Sequence, residues 1–396
     1  MLVAFTDLGL AKSITDNLSD LGYDKMTPIQ AESLPVILNK QDVIGQAKTG
    51  SGKTVAFALG VLDALDVKTY RVQSLILCPT RELADQVAGS MRTLARAIHN
   101  IKVLTLCGGL PFGPQVGSLE HGAHIVVGTP GRVEEHLRKG HLNLSSLKTL
   151  VLDEADRMLD MGFRESLDAI VDRTPSSRQT LLFSATFPSD IKTLTERITV
   201  NAVSVRIESA DAENQIDEQW YEVEDNTRFD ALRSLLLTYQ PEQTVIFCNT
   251  KAETLSLASD LVQVGFSARA LNGDLEQKKR SQVLATFANN SLSILVATDV
   301  AARGIDIAAL PMVINYHIAR DLEVHVHRIG RTGRAEQIGM AFTFFSEKER
   351  FKKEKLEAFL GVEFAEVSLP NPQILSMKPY YPVMRTIEIA GGKKQK

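Results

Sequence analysis

The sequence is poor in cysteine and contains a single tryptophan, and it has no apolar run long enough to cross a membrane. Its first charged residue is the acidic Asp7, so the N-terminus lacks the basic start of a secretory signal, and we expect a cytoplasmic protein without a membrane anchor. Cys78, Cys107 and Cys248 each lie in an apolar run without a cysteine or histidine at metal-binding spacing. This pattern predicts buried free thiols, with neither disulfides nor a cysteine metal site.

The sequence also lacks an excess of positive charge, with 44 basic against 48 acidic residues and a net charge of −4. Binding of nucleic acid by overall charge alone is disfavoured, because such affinity scales with the number of phosphates neutralised. A localised basic surface remains compatible with this composition. The run 348–355 mixes basic residues with glutamate, which is typical of a solvated helix face. The chain length of 396 residues predicts about two or three domains.

A phosphate-binding loop is the strongest positive signal. An apolar strand ending near Ile44 is followed by a small-residue loop and then by the apolar helical run 55–59. The loop consists of Ala47, Lys48, Thr49, Gly50, Ser51, Gly52, Lys53 and Thr54. Glycines let the backbone approach a polyphosphate, Lys53 is placed to pair with the outer phosphates, and the Thr54 hydroxyl is a Mg²⁺ ligand candidate. The general pattern has glycine where Ala47 stands, and a chance glycine-rich turn is the alternative interpretation.

Strands, polar turns and helices then alternate along the chain. Apolar strands are predicted at 74–78, 103–107, 124–128, 149–152 and 179–183. This alternation predicts an α/β fold with a parallel sheet, in which the loops after the strands gather at one edge with the phosphate loop.

The residues before the loop predict two helices. One covers 10–21 and stops at Gly22-Tyr23, and the next begins at Thr27-Pro28 with an N-cap and a proline at its first position. Tyr23 is placed to stack on a base and Gln30 to bond an adenine edge. The alternative for Gln30 is an exposed side chain on a capped helix.

The two halves of the chain resemble each other. Segment 75–80 is similar to 245–250, and 126–129 is similar to 295–298. Gly108-Gly109 has a counterpart in 272–274. This order predicts two copies of one α/β domain, of which only the first has a phosphate loop. The polar and acidic residues 208–217 are the predicted linker.

Carboxylates follow a predicted strand of the first copy. Asp153 is expected to hold Mg²⁺ and Glu154 to orient or deprotonate an attacking water. A helix N-cap is the alternative for an Asp-Glu pair after a strand, and the preceding phosphate loop favours the catalytic interpretation. Asp156 would couple the site to the second copy, together with Ser184 and Thr186.

The second copy carries two arginine-containing segments, 299–306 and 325–334. Their arginines have no nearby run of carboxylates to pair with, and they are Arg303, Arg328, Arg331 and Arg334. Arginines delivered to a triphosphate across a cleft would make hydrolysis depend on closure, and arginines on a helix surface are the alternative. His325 and His327 alternate as on a strand, and structural and catalytic roles are both open for them.

Together these motifs resemble the DEAD-box ATP-dependent RNA helicases over residues 5–365. The segment 153–156 is the motif that names the family, 22–30 resembles its adenine-recognising motif, and 184–186 resembles its coupling motif. The resemblance implies two tandem RecA-like domains, each a mainly parallel sheet flanked by helices, at 1–207 and 218–365. The cofactors implied are ATP and Mg²⁺, and the partner implied is RNA.

The resemblance also implies a role for each matching position. The implied catalytic residues are Lys53, Asp153, Glu154, Arg331 and Arg334. The implied ATP contacts outside the phosphate loop are Phe5, Tyr23, Gln30, Gly304 and Asp306. The implied RNA contacts are Pro79, Thr80, Arg81, Gly109, Thr129, Pro130, Gly131, Arg132, Thr250, Thr298 and Arg303. The implied coupling residues are Asp156, Ser184, Thr186 and His327, and the implied metal ligands are Thr54 and Asp153.

Within the tail 366–396, residues 384–396 resemble the first strand of an RNA-binding domain found in one branch of the family. That domain directs its members to large-subunit ribosomal RNA, and here only its first strand would be present. We therefore expect a monomeric RNA-dependent ATPase that separates short RNA duplexes, with ribosomal RNA as the implied target. An ATP-gated RNA clamp or annealing factor is the alternative, and translocation on DNA is a further one. A GTPase is disfavoured, because it would leave the duplication of the α/β domain unexplained.

Overall fold

The computed structural model describes residues 4–47, 50–207, 216–302, 310–333 and 339–369. The described residues form two compact units, one within 4–207 and one within 216–369. Each unit is built on one seven-stranded sheet in which all strand pairs are parallel.

The first sheet has the strand order β3-β4-β2-β5-β6-β1-β7. Its strands are β1 (Val43–Gln46), β2 (Ser74–Leu77), β3 (Val103–Leu106), β4 (Ile125–Gly128), β5 (Thr149–Asp153), β6 (Gln179–Ser184) and β7 (Val203–Arg206). The central strands are buried along their whole length, as expected for a sheet covered by helices on both faces. The strands predicted from the sequence are confirmed to within two residues at each end.

The helices of the first unit are α1 (Lys12–Asp20), α2 (Pro28–Leu38), α3 (Lys53–Asp63), α4 (Arg81–Leu94), α5 (Phe112–Glu120), α6 (Pro130–Arg138), α7 (Ala155–Asp160), α8 (Arg164–Val171) and α9 (Ser189–Ile198). A 3₁₀ turn at Phe5–Leu8 precedes them. Alternate residues of each strand enter two separate cores. Ile76 and Val151 face the core that includes α3, whereas Leu75 and Leu152 face the core that includes α6.

The second sheet has the strand order β10-β11-β9-β12-β13-β8-β14. Its strands are β8 (Ile216–Glu222), β9 (Thr244–Cys248), β10 (Ala268–Leu271), β11 (Ile294–Thr298), β12 (Met312–Asn315), β13 (Gly339–Phe345) and β14 (Ala365–Glu366). Its helices are α10 (Arg228–Tyr239), α11 (Lys251–Gln263), α12 (Gln277–Ala288), α13 (Asp299–Ala302), α14 (Leu322–Ile329) and α15 (Arg350–Leu360), with a 3₁₀ turn at Glu347–Glu349.

The two sheets have the same topology. Adding seven to each strand number of the first order yields the second order. The segments that look alike in the sequence occupy equivalent places, because 75–80 ends β2 as 245–250 ends β9, and 126–129 ends β4 as 295–298 ends β11. The predicted duplication of one α/β domain is confirmed.

The domain boundaries differ slightly from those predicted. Strand β8 begins at Ile216, so residues 216–217 belong to the second sheet, while the rest of the predicted linker lies outside the described residues. At the other end, β14 pairs with β8, and the Val367 amide donates to the Trp220 carbonyl, 2.9 Å away. The second unit therefore extends past residue 365. The resemblance of the tail to an RNA-binding domain concerns residues outside those described.

The three cysteines are buried, as predicted. Burial raises the pKa of the Cys107 thiol to about 12, so this thiol is protonated at neutral pH and a poor nucleophile. Of the helices that the structure describes, none has the length and apolarity needed to cross a bilayer.

Strand β1 passes so close to β6 that only glycine fits at position 45. A Cβ atom on Gly45 would lie 2.5 Å from two ring carbons of Phe183, which is fully buried. The Phe183 ring also packs on Phe57 of α3, with a centroid distance of 5.7 Å. The Phe183 ring therefore covers the space that a side chain at position 45 would need.

Gly45→Ala should destabilise the protein by about 1–3 kcal/mol, because the buried ring cannot move away without displacing its neighbours. Gly89→Ala is the matched control, since Gly89 lies inside α4 with open space around its Cβ position. The control should stabilise by about 0.5–1 kcal/mol. The midpoints of thermal unfolding measure both effects, and a Gly45→Ala midpoint equal to or above wild type would contradict the packing argument.

Candidate nucleotide and RNA site

The phosphate loop connects β1 to α3 as predicted. Gly50 and Gly52 have φ angles of 84° and 94°, which residues with a side chain rarely adopt. A Cβ atom on Gly52 would lie 2.4 Å from Gln30 Nε2. Lys48 and Thr49 lie outside the described residues. The loop leads into the N-terminus of α3, where backbone amides without helical partners favour an anion.

Helix α2 and its N-cap residue hold this loop through two side chains. The Thr27 hydroxyl donates to the Ser51 carbonyl at 2.7 Å, and Gln30 Nε2 donates to the Gly52 carbonyl at 3.1 Å. Gln30 Oε1 accepts from the Thr27 amide at 2.8 Å and is part of a capping box. Gln30 is 2% exposed, so the alternative of an exposed glutamine is wrong. Thr27 was identified from the sequence only as a helix cap.

Two further predicted ATP contacts lie on the same part of the chain. The Tyr23 side chain is 39% exposed, which leaves its ring accessible for stacking. Phe5 is buried in the core that also contains α2. Their contacts with a nucleotide stay predictions.

Charged side chains are buried at the carboxyl end of β5. Lys53 Nζ donates to the Ala47 carbonyl at 2.6 Å. Burial lowers the pKa of Lys53, although the negative charges of Asp153 and Glu154 oppose this shift. Burial also raises the pKa of Asp153 to about 7, against the opposing effect of Lys53. Both shifts show that these charges have lost hydration, which favours their interaction with an ionic ligand.

The donor set fits Mg²⁺. Carboxylate and hydroxyl oxygens are available from Asp153 and Thr54, and Mg²⁺ is commonly held by one or two carboxylates together with phosphate oxygens and water. Among the described residues no three His, Cys, Asp or Glu side chains converge as a protein-only metal site. These donors therefore suit a magnesium ion that arrives with a nucleotide.

Asp156 connects the acidic motif to the end of β6. Its Oδ2 accepts from the Thr186 amide and the Thr186 hydroxyl, both at 2.9 Å, and its amide donates to Ser184 Oγ at 3.3 Å. All three residues follow or end strands at the same edge of the sheet. The structure therefore brings together three of the four predicted coupling residues, Asp156, Ser184 and Thr186.

The RNA-contact residues predicted in the first unit lie at this same edge. Pro79, Thr80 and Arg81 follow β2, Gly109 follows β3, and 129–132 follows β4. The Thr80 hydroxyl caps α4 by accepting from the Leu83 amide at 3.3 Å. Their contacts with RNA stay predictions.

Arg132 has protein partners that the sequence did not predict. Its Nη1 donates to the Leu110 carbonyl at 3.1 Å, and its Nε lies 3.2 Å from Glu135 Oε2. The guanidinium carbon lies 5.4 Å from the centre of the Phe112 ring. Arg132 therefore holds the loop that contains Gly109.

The structure describes fewer of the predicted site residues in the second unit than in the first. Thr250 caps α11 by accepting from the Glu253 amide at 3.2 Å, as Thr80 caps α4. Thr298 ends β11, and Arg331 follows α14 with 8% of its surface exposed. The predicted residues Arg303, Gly304, Asp306 and Arg334 lie outside the described residues.

The segment with His325 and His327 is a helix, α14, so the strand interpretation is wrong. Residues two apart on a helix do not share a face as they do on a strand. His325 is buried, with its Nε2 2.8 Å from Glu218 Oε1 and its ring 5.4 Å from the Trp220 ring. These contacts give His325 a structural role, while the coupling role of His327 stays a prediction.

Arg328 corrects the expectation that these arginines lack carboxylate partners. Its Nε and Nη2 contact the two Asp299 oxygens at 2.5 and 2.8 Å. Nη2 also donates to Asn249 Oδ1 at 2.9 Å, and Nη1 donates to the His317 carbonyl at 2.8 Å. Arg328 is 1% exposed and links three strand ends of the second sheet. Asp299 is the first residue of the other arginine-containing segment, 299–306. The sequence therefore did contain a carboxylate from which a partner for Arg328 could have been predicted.

The duplicated fold places Arg228 where the first unit has Lys53. Each is the first residue of the helix that follows the first strand of its sheet. Arg228 is buried and donates to the Tyr316 carbonyl at 2.7 Å, to Asp225 Oδ1 at 2.9 Å and to Glu349 Oε2 at 3.2 Å, and it also contacts the His317 ring. Arg228 is therefore bonded to protein oxygens, where a P-loop lysine would contact a phosphate. This agrees with the sequence, in which only the first copy has a phosphate loop.

Arg328→Ala should destabilise the protein by about 3–5 kcal/mol, because the change leaves the Asp299 carboxylate half-buried without its partner. Arg328→Lys should not restore stability, since a single ammonium cannot make the two-pronged contact. Arg350→Ala removes an arginine paired with Glu222 and Glu366 at the surface and should have a much smaller effect. Thermal unfolding midpoints test this order, and similar losses for Arg328→Ala and Arg350→Ala would refute it.

Comparison with known proteins agrees with this arrangement. The family described as DEAD/DEAH box helicase matches residues 27–194, and the helicase conserved C-terminal domain matches 227–336. The chain is 49% identical to the ATP-dependent RNA helicase DbpA of Escherichia coli over all of its length and 86% of that protein. It is 44% identical to the ATP-dependent RNA helicase DeaD of Escherichia coli, over 94% of the chain and 60% of that protein.

Solved structures of the same architecture include complexes with RNA. S. cerevisiae Dbp5 bound to RNA and ADP BeF3 is 29% identical, with a TM-score of 0.84 over 94% of this chain and 98% of that one. Mss116p bound to ssRNA and AMP-PNP is 26% identical, with a TM-score of 0.84 over 95% of this chain and 81% of that one. The chain therefore belongs to the DEAD-box family of ATP-dependent RNA helicases.

Proposed function

We propose that this helicase hydrolyses ATP in an RNA-stimulated manner and uses the cycle to separate short duplexes of large-subunit ribosomal RNA. The observation that carries the ATPase part is the continuous arrangement in the first unit. The phosphate loop, the buried acids after β5 and the Asp156–Thr186 contact all lie at one edge of the sheet. Phosphoryl transfer needs this combination of an anion cradle, a metal-binding acid and a positioned base.

Each residue of that edge has a proposed task. The loop amides and Lys53 bind the phosphates, Tyr23 stacks on the adenine and Gln30 bonds its edge. Mg²⁺, when bound, neutralises phosphate charge, and Asp153 and Thr54 would hold it. Glu154 orients the attacking water and accepts its proton.

The second unit supplies positive charge to the transferring phosphoryl group. We assign this task to Arg331 and, outside the described residues, to Arg334. An arginine that stabilises the transition state from another domain makes hydrolysis depend on domain closure. ATP turnover is then tied to a change in the RNA held by both units.

RNA binding is assigned to the loops after β2, β3 and β4 and to Thr250 and Thr298. A protein with a net charge of −4 can select RNA through contacts with 2′-hydroxyls and through local helix termini, without a high overall charge. The ribosomal target is supported by the resemblance of residues 384–396 to the first strand of an rRNA-directing domain.

The RNA specificity is tested by ATPase rates of this chain with no nucleic acid, total RNA, ribosomal RNA fragments and DNA of equal length. RNA should raise the rate and DNA should not, and ribosomal fragments should act at the lowest concentration. Strand displacement on a short RNA duplex should require ATP. Annealing without displacement would favour an RNA clamp, and equal stimulation by DNA would exclude RNA selectivity.

Glu154→Gln should lower the ATP turnover rate by about 10²–10⁴-fold, because the amide cannot accept the proton of the attacking water. Binding of ATP and RNA should persist, since the substitution keeps the size of the side chain. Single-turnover hydrolysis and equilibrium binding measure the two properties separately. Turnover at the wild-type rate would remove Glu154 from the role of base.

A further inference from the structure

Arg157 is a buried cation beside the proposed base. It lies in the first turn of α7, three residues after Glu154, and its Nη1 is 3.2 Å from Glu154 Oε2. The Arg157 and Glu154 side chains are 4% and 9% exposed. The motifs read from the sequence give Arg157 no task, although the spacing of three residues on a helix permits the contact.

The backbone at Glu154 is strained. Its φ and ψ angles are both 52°, in the left-handed region that residues with a side chain rarely adopt. Such strain persists only where the surroundings hold the residue, and it is common at functional sites. A carboxylate on a strained turn that is buried at the carboxyl edge of a sheet needs a partner to keep one orientation.

The contact between the two side chains is an ion pair without hydrogen-bond alignment. Glu154 Oε2 and Arg157 Nη1 are both shielded from solvent, and neither atom has a hydrogen-bond partner within the described part of the chain. The attraction between two charges is stronger in a buried site than at the surface. The guanidinium therefore restrains the Glu154 carboxylate by the attraction between charges at Oε2.

We propose that Arg157 is a positioning residue that holds the Glu154 carboxylate for its work as the base. This inference rests on the proposed ATPase function. Arg157 is assigned no contact with the nucleotide, so its loss should disturb the step in which the water attacks and leave ATP binding intact. The competing explanation is that Arg157 only offsets the charge of Asp153, Glu154 and Asp156. In that case its loss should lower ATP affinity and protein stability instead.

The test uses the full chain at saturating RNA, with Arg157→Gln and Arg157→Lys beside the wild type. For Arg157→Gln we expect kcat to fall by about 10-fold or more, since misplacement of a catalytic group by about 1 Å can cost about 10²-fold. The KM for ATP and the affinity for the non-hydrolysable analogue AMP-PNP should stay within about twofold. Arg157→Lys should recover part of kcat, because lysine keeps the charge without the shape of the guanidinium.

A matched control is Arg178→Gln. Arg178 precedes β6 at the amino end of the sheet and is half-buried, with Nη1 and Nη2 donating to the Pro175 and Ile198 carbonyls at 3.0 and 3.2 Å. Its loss removes a partly buried arginine at the opposite end of the strands from Glu154, and kcat should stay within about twofold of wild type.

A double variant separates positioning from general structural damage. In a Glu154→Gln background, Arg157→Gln should lower the residual turnover no further, since residues that act as a unit are not additive. The proposal is overturned if Arg157→Gln keeps the wild-type kcat, or if it weakens AMP-PNP binding as much as it lowers kcat. If Arg157→Gln does not fold, a wild-type kcat for Arg157→Lys, or an AMP-PNP affinity that falls with kcat in that variant, overturns it. A wild-type chain without RNA-stimulated turnover would refute the proposed function itself.

Discussion

The burial of charge at the carboxyl edge of the first sheet is the constraint on which the rest depends. Lys53, Asp153, Glu154, Asp156 and Arg157 are all at least nine-tenths buried. Isolated charges in such surroundings are costly, and they persist because each faces an opposite charge or a hydrogen-bond partner. The pKa of Asp153 rises and that of Lys53 falls for the same reason, which is lost hydration. A site of this kind favours an ionic ligand that completes its charge balance.

The second unit meets the same constraint in a different way. Its sheet has the topology of the first, but its strand ends are joined by protein side chains. Arg228 occupies the position of Lys53 and is bonded to carbonyl and carboxylate oxygens of its own unit. Arg328 forms a bidentate ion pair with the Asp299 carboxylate. The first unit thus keeps the polar edge of its sheet available to a ligand. The second unit uses corresponding positions for ion pairs and hydrogen bonds that stabilise its own fold.

Several contacts in the first unit connect residues of the proposed site to one another. Gln30 and Thr27 join α2 to the phosphate loop, and Asp156 joins the acidic motif to Thr186. Arg132 joins the loop after β3 to α6. Each contact links the ends of different elements. This arrangement is suited to a protein in which nucleotide and RNA affect each other.

The sequence by itself determined the parallel α/β fold, the duplication, and the gathering of the phosphate loop, Asp153 and Ser184 at one edge. These features depend on local signals, namely apolar strand runs, glycine positions and the order of elements, and parallel strands bring their carboxyl ends together. Only the tertiary structure decided the partner of each polar side chain: the Gly52 carbonyl for Gln30, the Glu154 carboxylate for Arg157, and the Asp299 carboxylate for Arg328. The spacing of His325 and His327 predicted a strand, and this prediction was wrong because the segment is a helix. Contacts between residues that are far apart in the sequence, and the burial of charged groups, depend on how the helices and strands pack. The pattern of residues along the chain does not show which of them become neighbours.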